Sequence, residues 1–513
     1  MSSRRSDALV DTILSDPIFS DAVLSVDVGT TALKGALLAR SGALLGEAEV
    51  TVETFRPQEG HAEQSPQGWW AALVTLCRQL SLQGEGLKGA RALILCGQMQ
   101  GLVLTRVGVP SGPALLHTDV RALQEVGETT ARLGLDPQTA SGNPYTAASL
   151  PPRLAWLARH APQRLTGRPR LHVGAKDALI ERLCGAHVTD HATAATSGLY
   201  DLARGRWQEE WLPLLGLDLA LPRLRWPHEQ AGLLGEDAAS ALGLAAGLPV
   251  LTGLGDAGAT TLGAGVSGPG EQYLYLGTSG WVGTVSTGPP ARPGVFRLPL
   301  LSPDRVLAVA PLRNAGSAHR WAAETFAGGA FERLETLMGQ APASSVLCLP
   351  YLEGERSPVD DPHARGVFLG LDQTTGPGVL ARAVLEGVAF ALRQAGEQLG
   401  APHGGQPHLT LLGGGARSGV WRQILADVFA TTIRVPESPA LLPVLGGAYP
   451  AFRWLGWTSS FTEYRARVLS RQPFTDHPAD PARAAQYARD YRRFEALYPA
   501  VCALFLDADP GPG

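Results

Sequence analysis

The chain reads as an α/β protein made of two related halves with a cleft between them. Three observations predict this. At 513 residues it is too long for one hydrophobic core, so two large domains are the default. Apolar strand-like runs alternate with amphipathic helical patterns, and the 61 glycines and 39 prolines fall at the junctions, which separates this chain from a low-complexity one. One unit also occurs twice, about 250 residues apart: an apolar strand, a Gly-Thr turn and a returning strand. The first copy is AVLSVDVGTTALKGALLA from Ala22, and the second is EQYLYLGTSGWVGTVS from Glu271. The halves are placed at residues 21–258 and 259–513, after a weakly structured N-terminal arm of residues 1–20.

Composition narrows the function. The chain is 45% hydrophobic and 18% charged, so it can bury large cores. A net charge of -4 without a long basic run argues against nucleic acid as the main partner and leaves small anions open. The five cysteines (Cys77, Cys96, Cys184, Cys348, Cys502) are scattered without a CxxC pair, the pattern of reduced thiols in a cytoplasmic protein. No stretch has the apolar length to cross a bilayer, and the opening residues lack the apolar segment of a secretory signal.

Taken in order, Ala22 to Val26 is a buried strand ended by Asp27. Gly29, Thr30 and Thr31 make a tight turn, Leu33 to Leu38 returns, and ALLGEAEVTVET alternates as a third strand. This meander is not a βαβ unit, so the turn is not a Walker loop. Its backbone N–H groups still form a nest for phosphate oxygens, Asp27 beside it can hold a magnesium shell, and Lys34 adds positive charge. A plain hairpin turn is the alternative. Ser65 and Pro66 open a helix that buries Trp69, Leu73 and Leu76. In ARALILCGQMQGLVLTR, Gly97 and Gly101 bracket Gln98, Met99 and Gln100 between two strands. Amides projecting from such a loop suit sugar hydroxyls, which both donate and accept, although a polar loop tip looks the same. Asp119 and Arg121 read first as a structural ion pair. LPPRLAWLARHAP and HVGAKDALIERLCG are helices. HVTDHATAATSGLYDLARGRW ends in a hairpin, and its His187 and His191 have no third ligand at metal-site spacing.

The stretch VLTGLGDAGATTLGAG, Val250 to Gly265, sets Asp256 at the tip of a strand where a helix opens. Gly253, Gly255 and Gly258 leave room for a substrate against the backbone. Asp256 is either a reactive acid or a helix cap. After the second hairpin, with its Gly277, Thr278 and Ser279 turn, LCLPYLEGERSPVDDPHARGVFLGLD reads as a long charged loop and LARAVLEGVAFALRQAGEQL as a helix. LTLLGGGARSGVWRQILADVFATTIRVP is strand, turn, helix and strand. There Gly413, Gly414 and Gly415 offer bare backbone to a flat ring or a phosphate, and the helix begins near Ser418. LPVLGGAYPAFRWLGW and DYRRFEALYPAVCALF are two more helices.

Together these segments resemble the FGGY carbohydrate kinases. DVGTT, AEQSPQGWW, GQMQG, GLGDAG, YLGTSG, LPYLEGERSP, ARGVFLGL, ARAVLEG and LLGGGARSGVWRQILAD are each similar to family segments and stand in the family's order, covering nearly the whole chain after residue 20. Within the family, GQM, LPYLEGER and GGGARS are most similar to xylulose kinases. The resemblance implies two actin-like (ribonuclease H-like) domains, each a mixed sheet flanked by helices, and phosphoryl transfer from ATP with Mg2+ to a sugar hydroxyl. By position it implies Asp256 as general base and Asp27 as the magnesium residue. Gln98, Met99, Gln100 and Asp256 would meet the sugar. Gly29, Thr30, Thr31, Lys34, Gly277, Thr278, Ser279, Gly413, Gly414, Gly415 and Ser418 would meet the nucleotide. Departures cluster near the sugar. Gln100 stands where His is usual, Ala257 where Asn is usual, and His117-Thr118-Asp119 where Trp-Asn-Asp is usual. Arg153 replaces a Lys, and Val379 a polar residue. The resemblance implies a ketopentose such as xylulose, while the departures leave the sugar open, with a tetrulose or a gluconate-like aldonate as alternatives and a non-catalytic sugar sensor as a rival of another class. The oligomeric state is open, a homodimer included.

Overall fold

The structure, a computed structural model, describes residues 21–83, 86–288, 292–341, 346–401 and 406–505. The arm placed at residues 1–20 and the last residues of the chain lie outside them.

The first domain holds β1 (Ala22–Val28), β2 (Ala32–Ala39), β3 (Leu44–Thr51), α1 (Pro66–Leu82), β4 (Ala90–Gly97), α2 (Leu150–His160), α3 (Ala175–Cys184), β5 (Gln230–Leu233) and β6 (Pro249–Gly255). Its six-stranded sheet runs β5-β6-β4-β1-β2-β3. β1, β2 and β3 form the antiparallel meander, β4 and β6 run parallel to β1, and β5 closes the edge antiparallel. The Ser65 hydroxyl caps α1 by accepting from the Gly68 N–H, with Pro66 at the first helical position, and Trp69, Leu73 and Leu76 are buried. Asp119 is fully buried and pairs with Arg121 at 2.7 Å, while Arg121 also reaches Glu63, so this pair is structural.

α4 (Asp256–Gly263) leads into the second domain, which holds β7 (Gln272–Leu276), β8 (Gly280–Ser286), β9 (Phe296–Pro299), β10 (Val306–Leu312), α5 (Pro377–Gln398), β11 (His408–Leu412), α6 (Gly419–Phe429), β12 (Thr432–Pro436), α7 (Leu442–Trp454), β13 (Phe474–His477) and α8 (Pro481–Val501). Its sheet runs β9-β10-β8-β7-β11-β12-β13. The five strands β10-β8-β7-β11-β12 repeat the order and relative directions of β3-β2-β1-β4-β6. The boundary expected at 258/259 falls inside α4. Two further features go beyond the sequence reading. Phe296–Pro299 and Val306–Leu312 are strands, and the long charged loop is pinned at its ends, where Leu347–Leu349 pairs with Val367–Leu369.

The last helix of each α/β unit packs across the seam. α7, which follows β12, lies on the first sheet: Ser25 on β1 donates to the Val444 carbonyl at 2.7 Å. α4, which follows β6, meets the second sheet where Thr410 donates to the Ala264 carbonyl at 2.9 Å. The two helices touch backbone to backbone. A Cβ on Gly263 would stand 2.1 Å from the Leu442 carbonyl, and one on Gly446 2.1 Å from that of Ala259. One hydrophobic cluster consequently runs from Val23 and Ile94 through Leu262 and Leu445 to Leu298 and Leu307.

Candidate active site

Asp256 is the first residue of α4, directly after β6. Two glycines set it there. Gly253 has φ +66°, and a Cβ on it would overlap the Leu95 carbonyl; a Cβ on Gly255 would stand 2.2 Å from the Met99 sulfur. One Asp256 oxygen accepts from the Ala257 N–H at 2.8 Å. Burial, and after it the charge of Asp27, lifts its pKa to about 7. Its charge also acts on Tyr275 and Cys96, so it sits between the two sheets.

Around Asp256 lies a cavity of about 260 Å³ lined by Met99, Gln100, His117, Thr196, Ala257, Trp281, Phe296, Leu298 and Val309. The first domain supplies its polar side and the second an apolar wall from β8, β9 and β10. Trp281 is stacked flat on Tyr275, with ring centroids 3.7 Å apart. Gln100 takes the left-handed backbone region, φ 57°, which a non-glycine residue enters only when its surroundings hold it there. Arg153, buried beneath, donates to the Gln100 carbonyl at 2.9 Å and supplies that hold. The Gln100 Nε2 is buried and has no partner within the protein. Burial, and then the Arg153 charge, keep the His117 ring below its usual pKa, so it enters the pocket neutral.

Gln98, expected beside the sugar, does not line this cavity. It is buried, its Nε2 donates to the Gln64 Oε1 at 2.8 Å, and Thr30 donates to its Oε1 at 3.4 Å. Gln64 donates in turn to the Thr30 carbonyl at 2.6 Å. The two amides thus brace the first turn from behind. At that turn Asp27 faces Lys34 across the ladder, and burial outweighs Lys34 to raise its pKa to about 6. Gly277, Thr278 and Ser279 form the second turn, tied to the start of the next helix by Gly316 N–H to Gly277 O and Ser317 N–H to Thr278 O, both 2.9 Å. Gly413 (φ +89°) presses on the end of β7, where a Cβ would meet the Leu276 carbonyl at 2.3 Å, while Gly414 faces open space. Ser418 is occupied otherwise: it caps α6 by accepting from the Trp421 N–H and donates to Glu335.

The buried Asp27 and the half-buried Asp256 are close enough for the charge of Asp27 to act on Asp256, and Lys34 is the cation that acts on Asp27. No group of three His, Cys, Asp or Glu side chains poised for a metal occurs among the described residues. The donor set suits a hard divalent cation that keeps its waters and arrives on a phosphate, and does not suit a resident structural metal. Sequence reasoning missed Thr196, Trp281, Phe296, Leu298 and Val309 as lining residues. Trp281, two residues after Ser279, was within reach; the others needed the β9–β10 wall to be seen.

Two copies of one sheet topology, with an acid at the strand–helix junction between them, define a two-domain fold of the actin-like, ribonuclease H-like class. Comparison with known proteins specifies it further. The FGGY family of carbohydrate kinases matches through its N-terminal domain over residues 22–263 and its C-terminal domain over 272–454, and the chain belongs to this family. It is 32% identical to the xylulose kinase of Escherichia coli K12 over 489 residues, covering 94% of this chain and 99% of that one. To the xylulose kinase of Streptomyces rubiginosus it is 33% identical, covering 84% and 87%. Among solved structures, xylulose kinase from Rhodospirillum rubrum superposes with a TM-score of 0.83 at 28% identity, covering 94% and 99%. Gluconate kinase from Lactobacillus acidophilus gives 0.83 at 24% identity, covering 95% and 99%, a likeness of fold. The protein is a sugar kinase.

Proposed function

We propose that this kinase transfers the terminal phosphoryl group of ATP to a hydroxyl of a small neutral ketose, a ketopentose such as xylulose, with Asp256 as the general base. The observation that carries the reading is the setting of Asp256: an acid lifted to about 7, on the floor of a pocket with polar groups on one side and an aromatic wall on the other. A base poised near neutrality takes a proton from an alcohol most effectively. Gln100 offers its unpartnered Nε2 to a sugar oxygen, and the flat face of Trp281 accepts the C–H side of the sugar.

The remaining residues position and neutralise, which is most of what phosphoryl transfer asks of a protein. Gly29, Thr30, Thr31 and Lys34 on one side and Gly277, Thr278 and Ser279 on the other grip the phosphates through turn N–H groups and hydroxyls. Gly413, Gly414 and Gly415 give bare backbone to the adenosine. Mg2+ arriving with ATP would be held at Asp27 and would supply charge neutralisation on the phosphate oxygens. Gln98 and Ser418 act behind these contacts, bracing the first turn and capping α6.

The pocket also favours one substrate class. None of its lining residues is Lys or Arg, and His117 is neutral, so an aldonate carboxylate would enter without a counter-charge. This favours a neutral ketose over a gluconate-like acid. ADP release measured over ketopentoses, tetruloses and aldonates tests the reading. Release with a ketopentose is expected. Aldonate-only release would overturn the substrate assignment, and silence on every sugar would point to a sensor.

A further inference from the structure

We infer that Asn143 is a positioning residue for sugar binding, one side chain that fixes both walls of the sugar pocket relative to each other. The inference rests on the sugar-kinase reading of that pocket. Asn143 is 2% exposed and stands in a loop of the first domain, just after the short helix Pro137–Ser141. Its Nδ2 donates to the Ala195 carbonyl at 2.9 Å and to the Arg297 carbonyl at 3.0 Å, and its Oδ1 accepts from the Arg297 N–H at 2.7 Å. Both Nδ2 hydrogens are therefore used. Ala195 immediately precedes Thr196 on the polar wall. Arg297 lies between Phe296 and Leu298 on the apolar wall.

The geometry explains why an amide is needed. β9 is the outer strand of the second sheet, paired with β10 alone. The Arg297 N–H and C=O point away from that partner, and Asn143 satisfies both as a further strand would. Because side chains alternate along a strand, holding Arg297 outward turns Phe296 and Leu298 together toward the pocket. The Arg297 guanidinium adds a second tie to the same loop, donating to the Gly142 carbonyl through Nε at 3.1 Å and Nη2 at 2.6 Å. The tie spans the two domains at the rim of the cavity and touches neither phosphate turn.

Steady-state kinetics of Asn143→Asp, Asn143→Ala and Arg297→Ala against the wild type test this. An Asp cannot donate to the two carbonyls, so Asn143→Asp should raise the KM for the ketose at least tenfold. It should leave the KM for ATP within about twofold and raise ADP release without sugar relative to release with it. Asn143→Ala should act in the same direction. Arg297→Ala, which keeps the backbone pairing, should give a smaller rise and serves where the Asn143 variants fail to fold. An unchanged ketose KM in the soluble variants overturns the inference. So does a parallel loss in both substrates' KM with a lowered melting temperature, which would mark a purely structural role. A wild-type protein silent on every sugar overturns the kinase reading and the inference with it, whereas an active wild type with indifferent variants overturns the inference alone.

Discussion

The two Gly-Thr hairpins are the same device with opposite contents. In the first, the last-but-one rung of the ladder pairs Asp27 with Lys34; in the second, the corresponding rung pairs Tyr275 with Trp281. One hairpin thus carries a buried acid opposite a cation, and the other a pair of stacked rings. In both turns the first glycine N–H is used within the turn itself, Gly29 to the Ala32 carbonyl and Gly277 to the Ser279 carbonyl, so the turn alone does not decide what each half contributes. The cross-strand pair behind it does. Charge management was placed in the first domain, and a flat apolar surface facing the same pocket in the second.

Asp256 lies between the two, and removing it should have the largest effect. Asp256→Ala should lower turnover by a factor of about 10³ or more while ATP still binds, as loss of a positioned base does. Isothermal titration with ATP beside a coupled ADP assay measures both, and near-normal turnover would break the assignment. Next comes Asp27→Asn, which removes the acid of the first hairpin and leaves Lys34 without its cross-strand partner. It should cost roughly 10²-fold in turnover, within the range for removing one electrostatic contact to a transition state. It should also move a titration. In the wild type, kcat/KM should fall as pH drops below about 7, because Asp256 then holds the proton it must leave open. Asp27 raises that value through its own charge, so the variant's acid limb should shift to lower pH. A pH–rate profile with an unmoved limb would show that the two acids are not coupled. Smallest is Trp281→Ala. Losing the stacked ring should raise the sugar KM roughly ten- to a hundredfold, in line with about 1.5–3 kcal/mol for a buried apolar side chain, without changing the ATP KM. An effect on both substrates would place Trp281 in the fold rather than the pocket.

Much of this arrangement was legible in the chain. Both hairpins, the Ser65 cap and the strand–helix junction at Asp256 are local signals: each is written in a few consecutive residues whose backbone preferences agree. What stayed hidden depends on distant partners. GQMQG presents two glutamines in one loop, and nothing local says which faces the cavity. The structure answers through Gln64, which takes Gln98 inward, and through Arg153, which holds Gln100 at positive φ. Ser418 opens a helix as read, yet Glu335 occupies its hydroxyl. The apolar wall was missed because Phe296 and Leu298 sit in an edge strand of only four residues that ends in a proline, too short for its alternation to stand out.

The exchange of α4 and α7 across the seam bears on how the molecule is made. A ribosome that has released the residues through Gly255 has produced a six-stranded sheet whose roof is encoded nearly two hundred codons later. One face of that sheet must wait, with its apolar residues open to the solvent, until Leu442–Trp454 emerges. Neither half can be excised by cutting near the middle of the gene, because each would leave behind, in the other half, the helix that packs on its own sheet.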